Sequence, residues 1–473
     1  MSRRTTGASR PKGASSPDMQ GWIAILFLVF VFLTGGGSRS DTASLAFLRG
    51  GAVLFAFWAA FQIDGADWRR IRIPLLLLGA MTAWIFVQLI PLPPSMWHGL
   101  PGREAIAAAD RLLGQADLWR PISLTPSQSL DSLLAMVVPF AALIVFSRGS
   151  ADDNSRLLFA LVCLACLSFL LGFVQILSGP SSGAYFYRIT NSHAMVGLFA
   201  NRNHNAMFLA SGVLISAALL RDELMRRQKR GLVRVGLSVV GLGLTVATIL
   251  VGSRAGLAAG AVAFAVGYLM VGSAWRSRAV QGERGASLLR PYAGWLFYLP
   301  VVIMAALLGL ALWASDRSTA LTRIVGQDVA ADMRVRAWAT VQSMLDTHWV
   351  MGSGFGSFPD VYKIFEPDHL LQPSYFNHAH NDWVEIIITG GLPAAIILLV
   401  TILWILRGLR RGGLRGLIKG HRGDIRLPAM VILLLLAAGS VVDYSLRVPS
   451  IQVLAVLLII LLCCPKSAIT RPD

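Results

Sequence analysis

Charge is scarce in this chain. Asp, Glu, Lys and Arg make up 14% of its 473 residues, against about 25% in a soluble protein. Apolar residues fill the gap: they are 55% of the total, and the mean hydropathy is +0.62. That balance excludes a water-soluble globular domain. Acids are scarcer than bases, 25 against 42, leaving a net charge of +17. Cysteine is scarce too, with four in all. Cys163 and Cys166 lie inside the apolar run "LVCLACLSFLLG", and Cys463 and Cys464 end another. Such placement excludes a disulfide framework and offers no second ligand pair for zinc. There is no strong internal repeat, no H-E-x-x-H, and no strand ahead of "GSGFGSF" (352–358) to make it a dinucleotide fingerprint. That segment reads as a turn or as a backbone nest for an anion.

What the chain does have is apolar runs long enough to cross a hydrocarbon core, about 17–22 residues each. Twelve are read: about 21–34, 43–63, 73–91, 128–146, 157–178, 204–220, 235–252, 255–273, 294–314, 387–406, 427–443 and 450–464. The expected fold is all-α, a polytopic transmembrane helix bundle of about 12 spans. Its expected parts are a basic cytoplasmic tail at 1–20, nine spans over 21–314, a large partly helical outer loop at 315–386, three spans over 387–464, and a tail at 465–473. No A-x-A-like cleavage site follows the first run, only "TGGGS", so that run is expected to be kept as a span. Gly256-x-x-x-Gly260, with Gly236, Gly241 and Gly243, suits close helix packing in lipid.

The basic residues set the orientation. With both termini in the cytoplasm, the inner segments hold 28 of the 42 Lys and Arg, led by "RDELMRRQKRGLVR" (221–234) and "RGLRRGGLRGLIKGHRGDIR" (407–426). Positive loops resist translocation. The charge excess is therefore a topology signal beside anionic lipid heads and not a nucleic-acid site.

The polar, titratable residues gather on the opposite, outer side. "YFNHAHNDWVEIIITGG" (375–391) runs into the tenth span. Asp382 with Glu385 three residues on reads as an acidic capping box, which sets His380 and Asn381 just ahead of a helix N-terminus. The dipole there favours a neutral histidine, the form a general base needs. A plain interfacial cap would also account for these residues, as would, less well, a metal site of His378, His380 and Asp382. Arginines on the same side shift the balance. Arg254 stands in "VGSRAGLAAG", Arg334 and Arg336 in "DMRVRAW", and Arg202 in "ANRNHN". Singly, each could be a snorkelling surface residue. Together they supply guanidinium forks, which bind phosphate oxygens bidentately. Phosphates on this side are more plausibly lipid-linked than ATP. Within the same loop, "DVAADMRVRAWATVQSMLDTHW" carries Val329, Met333, Ala337, Val341 and Met344 at helical spacing.

"NHAHNDWVEIIITGGLPAA" resembles the signature of bacterial O-antigen ligases and the related O-antigen and exopolysaccharide polymerases: His380-Asn381, nine residues, then Gly391. The family usually has Gly, Thr or Tyr three positions later, where this chain has Ala394. "SRAG", "GLFANRNHNA", "RVRAW" before "MGSGFGSF", "QLIPLPPSMW" and "VVDYSLRVPS" agree in order and spacing. The resemblance covers about residues 80–460. It implies an inverting glycosyltransferase of the bacterial inner membrane with its site in the periplasm. Such an enzyme moves a glycan from undecaprenyl pyrophosphate to a hydroxyl of lipid A–core or of another glycan, with no nucleotide sugar and no metal. His380 matches the family's base, Arg254 and Arg334 match its pyrophosphate-binding positions, Arg202 matches more weakly, and Arg336 is a neighbour. Asn381, Asp382, His378 and Glu385 would support them. A ligase and a polymerase are both compatible with these residues. A polysaccharide transporter or lipid flippase is the rival of another class, and it would place polar groups near the bilayer midplane.

Overall fold

The computed structural model describes residues 19–149, 151–226, 230–280, 302, 306, 334–371, 376–411 and 423–464. Apart from residues 302 and 306, the expected ninth span (294–314) lies outside the described residues, as do residues 1–18, 465–473 and the first part of the large loop, Val329 and Met333 included.

Helices dominate what is described. The first eleven are α1 (Met19–Thr34), α2 (Ser44–Ala60), α3 (Gly65–Val87), α4 (Pro94–Trp97), α5 (Glu104–Leu112), α6 (Pro126–Ala135), α7 (Val137–Phe146), α8 (Ala151–Ser178), α9 (Arg202–Leu224), α10 (Gly231–Leu250) and α11 (Arg254–Val280). Then come α12 (Trp338–His348), α13 (Phe358–Phe365), α14 (Asp382–Arg411), α15 (Arg426–Val442) and α16 (Pro449–Cys463). Two two-residue strands, β1 (Pro91–Leu92) and β2 (Arg120–Pro121), pair antiparallel. Among the described residues, 6 helices are long and apolar enough to cross a membrane. They include α3, which starts well before the expected position 73 because Asp64 caps it, accepting from the N–H groups of Ala66 and Asp67 at 2.8 Å each.

Shorter apolar helices α1, α2, α15 and α16 share one core with α7, α8, α9, α10 and α11. α9 runs through the middle: 17 of its 23 residues are buried. It packs against α8, α10, α11 and α15. It carries the buried polar residues His204, Asn205, Ser211, Ser216, Arg221 and Glu223, which a lipid-facing helix would not tolerate. Small residues let its neighbours approach. A Cβ on Gly256 would lie 2.2 Å from Ala206 Cβ, and one on Gly260 would lie 2.2 Å from Thr248 Oγ1. Gly241 closes on Ser216, but Gly236 and Gly243 face open space, so the packing expected of those two is not found.

The long connections meet at one end of the bundle. After α1, Gly35 O accepts from the Ser450 N–H, Gly36 donates to Tyr187 Oη at 2.8 Å, and its carbonyl accepts from Ala200. A Cβ at Gly36 would lie 2.0 Å from Leu198 O, so "TGGGS" is a backbone crossing. Above this end, α12, α13 and the start of α14 build a small second core of Val341, Met344, Phe358, Val361, Tyr362 and Ile388. Arg103, 1% exposed, ties the 92–127 loop to it. Its guanidinium donates to Ile122 O (2.6 Å), Pro101 O (3.1 Å) and Gly352 O (3.4 Å) and lies 3.4 Å from His348 Nδ1.

α14 is broken near its start. Gly391 has φ 65° and ψ −166°, a region open only to glycine. The freed backbone groups are satisfied by "GSGFGSF". Ser353 and Gly354 donate to the carbonyls of Ile388 and Thr389 at 2.9 Å each, and Leu392 donates to Val350 O at 3.0 Å. Trp84 Nε1 donates to Gly390 O, and Gln88 Nε2 donates to Thr389 O. With Phe355 N–H on Gln88 Oε1 and Gly352 N–H on His348 O, the N–H groups of 352–355 all have protein acceptors. The segment is a turn that plugs a helix break, as irregular backbone at membrane depth requires, and not an anion nest.

Candidate active site

The residues 376–381 reach α14 through a sharp turn. His380 has φ 51°, the only non-glycine residue with positive φ among those described. A left-handed histidine costs about 1–3 kcal/mol and persists only where its surroundings enforce it. The helix cap differs from the expected one. Asn381 Oδ1 accepts the Val384 N–H at 3.2 Å, so Asn381 is the cap. Asp382 and Glu385 turn away from the helix end because a stronger partner, the Arg447 guanidinium, stands beside them. Arg447 Nε is 2.9 Å from Asp382 Oδ1, and its Nη2 is 3.2 Å from Glu385 Oε1.

Two acid–histidine pairs flank the Tyr444 ring. On one side His378 Nδ1 lies 3.0 Å from Glu385 Oε1, and Glu385 Oε2 accepts the Ala379 N–H at 2.8 Å. On the other, His380 Nδ1 lies 3.4 Å from Asp443 Oδ1. Asp443 is fixed in turn by Asn203 Nδ2 (2.6 Å) and by the Tyr444 N–H (3.0 Å). The ring centroids of His378, His380 and His204 stand 4.4, 5.1 and 5.1 Å from that of Tyr444. Neither ring nitrogen of His204 has a hydrogen-bond partner among the described residues. His378, His380 and Asp382 therefore take three different partners and do not converge as a ligand set.

Electrostatics favour a neutral His380. Burial lowers its pKa below the ordinary 6.5, the Asp443 hydrogen bond pulls it back up, and the Arg334 charge pushes it down. Burial alone would raise the Asp443 pKa; the His380 hydrogen bond and the charges of His204, His380 and Arg334 hold it well below the usual carboxylate range. Burial pushes the Tyr444 phenol up to about 12. With its proton on Nδ1 toward Asp443, His380 presents a free Nε2 lone pair.

The arginines divide. Arg334, half-buried, donates to Val442 O at 3.1 Å, one residue from Asp443. Arg202 opens α9, two residues ahead of His204, and its N–H is held by Asn191 Oδ1 at 3.1 Å. Arg254 is exposed at the first residue of α11, and the Gly256–Ala206 contact seats that helix end against the first turn of α9. Arg336 is exposed and donates to His369 O at 3.5 Å. Sequence reasoning gave no role to Asp443, Tyr444, Arg447 or His204. The signal was present in "VVDYSLRVPS", an acid and a base between two apolar runs.

A cavity of about 480 Å³ opens on the His378 side. Asn377, His378, Asp382, Glu385 and Arg447 are among its lining residues, and His380 and the four arginines named from the sequence are not.

A mostly helical, multi-pass membrane protein with a buried histidine–carboxylate cluster at one end of its bundle is the class defined here. Residues 237–399, from α10 through the broken α14, match the family model described as O-antigen ligase. No curated protein matches the chain.

Proposed function

We propose that the protein transfers a glycan from undecaprenyl pyrophosphate to an acceptor hydroxyl at the periplasmic face of the bacterial inner membrane, as an O-antigen ligase. Both termini lie in the cytoplasm. The observation that carries this reading is the His380–Asp443 pair, held by a strained turn beside Arg334. His380 Nε2 takes the proton of the acceptor hydroxyl. The hydroxyl oxygen attacks the anomeric carbon from the face opposite the pyrophosphate, the carbon–oxygen bond to pyrophosphate breaks, and the configuration inverts. Arg254 and Arg334, with Arg202 flanking, meet the charge that builds on the leaving group. Arg336 stands outside this group. Asp443 fixes the imidazole tautomer and stabilises the imidazolium, and no metal is assigned a step.

The test is transfer in vitro from a purified lipid-linked glycan. His380→Ala lowers turnover about 10²–10⁴-fold, and Arg334→Ala about 10²–10³-fold. Near-normal turnover in both ends the proposal. A polymerase of the same family would use the same residues, with another lipid-linked glycan as acceptor. Single repeat units in a deletion strain indicate that chemistry, whereas unattached long chains indicate ligation.

A further inference from the structure

The cavity beside His378 is distinct in character from the arginine side of the site. Part of its lining is apolar, including Leu48, Met81, Ile85 and Phe355. The lining also carries charge, and every Arg or Lys on it is paired with a carboxylate of the same lining. Arg49 grips Asp131 with two hydrogen bonds, at 2.5 and 3.0 Å. Arg39 holds Asp41 at 3.0 Å, and Lys363 holds Asp360 at 2.8 Å. Arg447 is shared by the buried Asp382 and Glu385. Gln128, Ser132 and Asn377 add neutral hydrogen-bonding groups. A volume of about 480 Å³ lies within the range of small-molecule sites.

A phosphate needs an unspent guanidinium or ammonium, and this lining offers none. Paired charges still present fixed donors and acceptors to hydroxyl groups, and the apolar part of the lining suits the C–H faces of sugar rings. We propose, resting on the transferase reading above, that this cavity is the acceptor subsite and that it takes uncharged sugars. The pyrophosphate donor is held on the other side of the Tyr444 ring. The division follows the two histidines. His378 lines the cavity, and His380 lies two residues further on, against the same ring. An acceptor hydroxyl leaving the cavity at Asn377–His378 arrives at His380.

The test uses the full-length chain in nanodiscs, the cell's own lipid-linked glycan as donor and its own acceptor, each varied in turn. Ser132→Trp, which fills the cavity, raises the acceptor KM tenfold or more and leaves the donor KM unchanged. Gln128→Ala, a milder change that spares folding, raises it about fivefold. Asp131→Asn frees the Arg49 guanidinium, so the protein gains at least tenfold in preference for the acceptor carrying a phosphomonoester over the plain one. An unmoved acceptor KM, a shift in the donor KM instead, or an unchanged preference in Asp131→Asn overturns the proposal. Those results leave the transferase reading standing if His380→Ala is inactive. An active His380→Ala brings down that reading, whatever the cavity variants do.

Discussion

At His380, two neighbours act on one proton in opposite senses. Asp443 favours the imidazolium and Arg334 opposes it, on top of a burial term that already favours the neutral ring. A base must be neutral to work, so turnover falls as pH drops through the His380 pKa. Asp443→Asn removes the group that raises this pKa, and the acid limb of the kcat/KM profile moves to lower pH. Arg334→Ala removes a group that lowers it, and the limb moves to higher pH. Profiles of the two variants check this, and limbs that move together would exclude His380 as the titrating group. At this scale the sequence was half legible. Polar residues ahead of an apolar run marked His378, His380 and Glu385 as a cluster. Their partners, Asp443 and Arg447, lie 63 and 65 residues beyond His380 and Asp382, and only the folded chain pairs them. Local spacing suggested Asp382 as the helix cap. An ion pair with Arg447 outweighs a cap, which is typically worth about 1 kcal/mol.

The decisive element is the broken helix α14. Its break depends on Gly391, whose missing Cβ leaves room for the backbone of 350–352: a Cβ there would lie 2.6 Å from Val350 O, Met351 C and Gly352 N. Gly391→Ala therefore meets both a left-handed penalty of about 1–3 kcal/mol and a backbone clash. Its thermal midpoint falls, and turnover falls with it, because "GSGFGSF" and the His380 turn hang on the same junction. Gly243→Ala, in open space on α10, leaves the midpoint unchanged. Melting curves of the two purified variants decide the matter. The Gly391 position was legible as a spacing from His380, but its reason was not, since a plugged break needs a second segment, 352–358, supplied from the loop. The helical periodicity of that loop was legible where it is described: Val341 and Met344 face the small core over α12 and α13.

Over the whole molecule, apolar runs located most of the helices to within a few residues, because a hydrocarbon core imposes length and composition together. α9 is the instructive exception. It falls among the expected spans but is not among the 6 helices apolar enough to cross by composition, since its surroundings are other helices. The basic-loop count proposes that the end carrying the long connections is the periplasmic one. Alkaline phosphatase fused after residue 360 is therefore expected to be active, and fusions after 228 and 412 inactive. Activity at 228 would reverse the orientation proposed here.

The polarity of α9 carries a consequence for biogenesis. Within the expected span 204–220 it buries His204, Asn205, Ser211 and Ser216, and polar groups inside a membrane segment are expensive unless neighbouring helices surround them. A nascent chain ending at Leu224 should leave this segment open to protease, and one extended through α11 should shield it. The insertion machinery is therefore expected to keep this central helix waiting until its later neighbours emerge from the ribosome.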